Sequence, residues 1–368
     1  MEVLRRVRAR RVGVILRLAA AGLLAALVSG TAPLGAQRLA AGTLRWPVKS
    51  REHVDLWLHG FAMVSADSSL VPLYRYGYRE ALLVARNTAS AFTDLDANAE
   101  PLRTTLASRP NLLAAQFLAL QFGSWGDLDA TFDLFITSDG NPRGAKDQAG
   151  ALALAQFAQI FRTREERDFA RKFALSLRSE REKFHHQWWV AETRRRDPAL
   201  AAVDSIWQQV IRPKLQPFLN HLQQGDGQII LSTVLEAEGR TVTDGKKNNT
   251  ITCGFPETRE RAMDAIHCVL HELVGTITAA AVEDNVTPAE KRNGVADRYQ
   301  AAALVRGGAV LATKLGADVA RSYMAFYVHA IGRDSAADPA AAFVMAFPLP
   351  DGMLASIERQ VAVAFGGI

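Results

Sequence analysis

From His53 to about Leu222 the apolar residues recur at helical spacing, and this periodicity constrains the fold more than any other feature of the chain. Val54, Trp57, Leu58, Phe61 and Ala62 form one stripe, and Ala81, Leu82, Val84 and Ala85 another. Pro110 marks a helix start ahead of Leu112, Leu113, Phe117, Leu118 and Leu120. Leu152, Leu154, Phe157, Ile160 and Phe161 follow. Thr163 to Lys183 keeps Phe169, Phe173, Leu175 and Leu177 among its ions, as a helix with one solvated face would. The run Ser138-Asp-Gly-Asn-Pro-Arg-Gly144 reads as a turn. Hydrophobic residues make up 49% of the chain, enough to build a core, which excludes a disordered polar tail. Two cysteines exclude a disulfide-stapled mini-protein.

The pattern changes at Gly225-Asp-Gly227. Gln228 to Val234 is β-branched and reads as a strand, Asp244 to Asn249 as a turn-rich loop, and Thr250 to Cys253 as a second short strand. A long helix is then expected over 257–282, with more helix over 287–315, 318–331 and 353–365. Thr287-Pro-Ala-Glu290 supplies an N-cap, a first-turn proline and the acid of a capping box. The expected fold is therefore mainly α (α+β). A bundle-like α-helical region spans 37–224, and a strand-loop-strand-helix unit followed by more helices spans 225–368, the two forming separate regions or one continuous globular domain.

Residues 1–36 carry six arginines and one acid, then an apolar run from Leu18 to Val28 and small residues from Gly30 to Ala36. This order predicts a signal peptide cleaved near Ala36 and an exported protein, periplasmic or extracellular. Arg17 shortens the apolar run well below the twenty or so residues that span a bilayer, and no later segment reaches that length, so no membrane span is expected in the mature chain. From Gln37 onward 37 basic residues face 37 acidic ones. The body is neutral and offers no field to steer a nucleic acid. In an oxidising compartment Cys253 and Cys268, fifteen positions apart, are either a disulfide or a pair of buried thiols.

The expected helix over 257–282 contains His267-Cys-Val-Leu-His271-Glu272-Leu-Val-Gly275. Histidines four apart share a helix face and can present two imidazoles to one Zn²⁺. Asp264, Gly275 and Thr278 fall on the same polar stripe. Over residues 228–282 the chain resembles the zincin metallopeptidases, whose signature H-E-x-x-H lies on a helix preceded by a substrate-binding edge strand. The resemblance implies a zinc ligand at His271, a general base at Glu272 and a peptide or protein substrate. Gly275 stands where the family has its second zinc histidine. With His267 in its place, Glu272 lies about 120° from the midpoint of the histidine pair, against about 80° in H-E-x-x-H, so the base is turned away from the metal. The expectation is a zinc-binding protein with weakened or lost peptidase activity.

A third ligand is sought on a following helix. Glu290 is occupied as a cap. Asp297 sits on an otherwise apolar face with Ala301, Leu304 and Gly308, where an acid needs either a metal or an arginine partner. Tyr323 and Tyr327 share a face and suit either an oxyanion or simple core packing. His185 and His186 diverge by about 100° and do not chelate one ion together. Gly239 to Lys247 lacks the spacing of a phosphate loop, and G-x-S-x-G, G-x-G-x-x-G and C-x-x-C do not occur. The competing reading is a non-catalytic exported helical binding protein whose histidines are structural.

Overall fold

A computed structural model describes residues 45–244, 248–333 and 338–366. The expected signal segment 1–36 and the Gly245–Lys247 part of the loop between the expected strands lie outside the described residues. The fold is mainly α with one small sheet, as the periodicity predicts.

The first half is built from α1 (Glu52–Val64), α2 (Tyr78–Thr88), α3 (Asp94–Ser108), α4 (Trp125–Thr137), α5 (Gln148–Ile160) and α6 (Arg164–Glu180), with two 3-10 turns between α3 and α4. The sequence explains α6 well. Thr163 and Glu166 close a capping box, and Phe169, Phe173 and Leu177 line the buried face while Leu175 points to solvent. A π turn, Arg181–His185, carries this helix without a break into α7 (His186–Arg195). A second π turn, Trp207–Ile211, joins α8 (Asp197–Ile206) to α9 (Arg212–His221).

Four strands form the sheet: β1 (Val48–Lys49), β2 (Gly227–Ser232), β3 (Arg240–Asp244) and β4 (Asn248–Gly254). Their order is β1-β2-β4-β3. β2 runs parallel to both neighbours, and β3 lies antiparallel to β4 at the sheet's edge. Side chains on a strand alternate between faces, and here the alternation divides two cores. Ile230 joins the core of α1–α6. Ile229 and Leu231 join a second core with Trp46, α8 and α9 and the helices that follow the sheet. α8 and α9 thus pack with the C-terminal half, although their sequence lies on the N-terminal side of residue 225.

After β4 come α10 (Ala262–Leu273), α11 (Gly275–Asn285), α12 (Pro288–Arg292), α13 (Val295–Leu315), α14 (Ala317–Ala330), α15 (Pro339–Ala346) and α16 (Asp351–Ala364). The single helix expected over 257–282 is two helices. The chain bends by 44° at Val274, where Gly275, a poor helix former, opens α11. The helix expected over 287–315 is likewise interrupted, because Gly294 adopts a left-handed φ of 69°. The capping box at Thr287 and Glu290 is formed. Arg196, at the end of α7, is buried, donating to the Phe255 carbonyl at 2.5 Å and pairing with Glu192. Among the described residues no single helix is long and apolar enough to cross a membrane.

Candidate metal centre

The C-terminal end of α10 meets the segment that leads into edge strand β3. Residues 234–238 form a strap held by backbone hydrogen bonds to residues 72–75. Arg75 N donates to Val234 O, Glu236 N to Leu73 O, and Ala237 N and Glu238 N to Pro72 O. Tyr327, on α14, donates its hydroxyl to Ala237 O at 3.2 Å and stacks its ring on His271, with centroids 5.4 Å apart. Strap and imidazole are thereby positioned by one side chain.

Three side chains converge there. His271 Nε2 lies 3.4 Å from Glu238 Oε1 and 3.9 Å from Glu272 Oε1. One ligand atom from each of Glu238, His271 and Glu272 lies within 4.8 Å of the others. Thr241 Oγ1, on β3, donates to Glu272 Oε2 at 3.0 Å and ties the helix to the edge strand. The His271 side chain is 1% exposed and that of Glu238 25%, so the cluster is reached from the Glu238 side.

The charges are coupled. Burial disfavours the His271 imidazolium, but the Glu238 and Glu272 carboxylates outweigh burial and raise its pKa. Glu272 is raised chiefly by burial, with the Glu238 charge adding to it, against the opposing pull of His271, Arg240 and Thr241. The donor set suits a divalent cation. Two donors about 2.1 Å from a tetrahedral ion stand about 3.4 Å apart, the separation of His271 Nε2 and Glu238 Oε1, while Glu272 Oε1 is wider at 3.9 Å. Two carboxylates and one imidazole fit Zn²⁺ and the harder Mn²⁺. His271 Nδ1 is buried without a partner, so the outer hydrogen bond that commonly orients a ligating histidine is missing.

Of the residues singled out in the sequence, His271 and Glu272 are in this cluster, and His267 and Asp297 are not. His267 lies one turn earlier on α10, as expected, but its Nε2 pairs with Ser322 Oγ at 2.8 Å and its ring packs against Tyr323 and Phe326. Burial lowers its pKa to about 4 and keeps it neutral. Asp297 is partly exposed in the first turn of α13, where its carboxylate lies beside Gly294. Its helix face is not the apolar interior that the neighbouring Ala301 and Leu304 suggest. Tyr323 and Tyr327 are core residues whose hydroxyls bond to the carbonyls of Val305 and Ala237. Cys253 and Cys268 are free buried thiols.

Sequence reasoning missed Glu238, which takes the place that Asp297 was expected to fill. It precedes an edge strand that was itself unread, and its only local signal is an acid beside Gly239 at the strand's entry.

No protein-family model, curated protein or solved structure matches this chain.

Proposed function

We propose that this is an exported, zincin-related metalloprotein in which Glu238, His271 and Glu272 hold a divalent cation, with peptidase activity weakened or lost. The observation that carries this reading is the convergence of one imidazole and two carboxylates beside an antiparallel edge strand. A bound Zn²⁺ would supply Lewis acidity toward a substrate carbonyl. Edge strand β3 offers backbone groups on its unpaired side to an extended peptide, as sheet edges do.

The donor set supports the weakened reading. The zincin pattern needs two imidazoles on one metal, and this cluster has one. Glu272, the residue that the resemblance makes a base, is held by Thr241 and shares the cluster with Glu238. A carboxylate engaged as a ligand is a poor proton acceptor.

A fluorogenic peptide library incubated with the zinc-supplemented protein is expected to show no turnover above a Glu272→Gln control. Turnover by the wild type that Glu272→Gln abolishes would overturn the weakened reading and establish a working peptidase.

One observation favours the alternative of a non-catalytic helical binding protein. His267 and His271 both have protein partners, Ser322 and Glu238, and both pack on aromatic rings as core histidines do. That reading predicts indifference to zinc and to chelator.

A further inference from the structure

A second buried polar cluster lies away from the metal centre, where α1, α2 and α3 meet the π turn that follows α6. His59 Nε2 is hydrogen-bonded to Glu180 Oε1 at 3.0 Å, and its Nδ1 to the Tyr78 hydroxyl at 3.0 Å. Arg86 Nη2 donates to Glu180 Oε1 at 2.7 Å and Nη1 to Asp96, while Thr93 Oγ1 donates to Glu180 Oε2 at 2.6 Å. Each of these groups has a partner. His185 does not.

The π turn brings the His185 ring to 5.1 Å from that of His59 and 5.6 Å from that of Trp188. It is fully buried, and neither ring nitrogen has a hydrogen-bond partner. The charged and titratable groups that face it are Glu180 and Arg181 from its own helix, His59 from α1 and Arg86 from α2, with buried Asp55 one turn before His59 and bonded to Trp189 at 2.7 Å. Glu180 already accepts from His59, Arg86 and Thr93, and Asp55 from Trp189 and Thr233. A proton on His185 would therefore add a positive charge beside Arg86 and Arg181, with no acceptor within hydrogen-bond distance of either ring nitrogen. π turns inside α-helices concentrate at functional positions, which makes an unsatisfied group on one worth explaining.

The cluster also holds α2 in place. Only Tyr78, Leu82 and Arg86 of α2 are buried, and two of these three belong to the network. α2 continues directly from the ribbon 72–75, to which Tyr78 N is tied through Arg75 O at 3.1 Å. That ribbon carries the strap on which Glu238 sits. α2 and the strap are thus joined through the backbone of residues 72–77.

We propose that His185 is an acid-operated latch, whose protonation frees α2 and, through residues 72–75, loosens the strap 234–238. The latch stands whether or not Glu238 holds a metal. Its direction follows from linkage. Burial holds His185 well below the ordinary histidine range, so it is neutral when folded. Once freed it takes a proton below pH about 6.5. The latch is closed at neutral pH and opens as the pH falls through that value, by up to about tenfold per pH unit for one proton. Global unfolding behaves differently, because His53 and His267, both lowered to about 4, would be released too and steepen the dependence.

Hydrogen exchange on the full chain at pH 7.5, 6.5 and 5.5, corrected for intrinsic rates, tests the latch. Exchange in residues 72–88 and 233–238 is expected to rise by about tenfold per pH unit below 6.5, with residues 262–273 unchanged and the rise absent in His185→Phe. If His185→Phe does not fold, His185→Gln is read by the same criterion. A uniform rise over the whole chain, or the same slope in a folded His185 variant, would overturn the proposal.

Discussion

Arg86→Met is expected to destabilise the protein by about 3–5 kcal/mol, the cost of removing one partner from a buried ion pair. The Arg86 side chain is 2% exposed and that of Glu180 is fully buried. Burial alone would raise the Glu180 pKa, but hydrogen bonding and charge from His59, with the Arg86 charge and Thr93, outweigh it and hold it at about 2. Removal of Arg86 leaves that carboxylate, and that of Asp96, short of a cation. Arg86 also lies over the Phe184 ring at 5.6 Å, so the loss includes packing. Glu180→Gln in the Arg86→Met background should recover part of the stability, because the uncompensated charge disappears. Chemical denaturation of the two single variants and the double variant measures the coupling. A cost below about 1 kcal/mol for Arg86→Met would mean that water or rearrangement satisfies Glu180.

The second large effect falls on a glycine pair with opposite expectations. A Cβ on Gly239 would sit 2.2 Å from Thr252 O, 3.1 Å from Cys268 Sγ and 3.3 Å from Glu272 Cγ. The first of these is backbone of the neighbouring strand and has no rotamer by which to yield. Gly239→Ala should therefore push β3 off β4 and carry Glu238 with it, at about 2–3 kcal/mol or more. A Cβ on Gly275 meets only Leu304 Cδ2, at 3.9 Å. Gly275→Ala is expected to be neutral or stabilising by up to about 1 kcal/mol, since alanine has the better helix propensity. Denaturant midpoints of the two variants decide the matter. Equal costs would show that the strand approach at Gly239 is not the constraint described.

What could be read from the sequence, and what could not, follows from the range of the interactions involved. α6 was legible because its cap and its apolar stripe are both local, within a few residues of one another. β2 was legible for the same reason, since Ile229, Ile230 and Leu231 stand together between turn residues. β3 was not: Arg240-Thr-Val-Thr-Asp244 is short, polar at both ends and becomes a strand by pairing with β4. The break at Val274 was hidden because one glycine inside a helical pattern is compatible with either outcome. The π turn at Arg181–His185 leaves no mark in periodicity that a five-residue irregularity could reveal.

The candidate site divides in the same way. His271 and Glu272 were both singled out in the sequence, but Glu272 as a base turned away from the metal and not as a member of the His271 cluster. Glu238 reaches them because backbone bonds to Pro72 and the Tyr327 hydroxyl position its strap, contacts spanning over one hundred residues in the first case and ninety in the second. No local pattern encodes such a meeting. His267 shares the expected helix face, yet Ser322 from α14 provides a partner that periodicity cannot foresee. The face of Asp297 was misjudged because Ala301 and Leu304, which suggested burial, are themselves only half-buried.

The most direct test of the metal centre is metal content and affinity in the purified, untagged protein. Wild type, Glu238→Gln, His271→Ala and His267→Ala are each equilibrated with Zn²⁺ or Mn²⁺, and bound metal is quantified alongside a calorimetric titration. One equivalent in wild type and in His267→Ala, lost in Glu238→Gln and His271→Ala, is the result that the cluster geometry predicts. A wild type that binds neither ion, with thermal unfolding unchanged by metal or chelator, would contradict it and leave His271 as a core histidine hydrogen-bonded to Glu238.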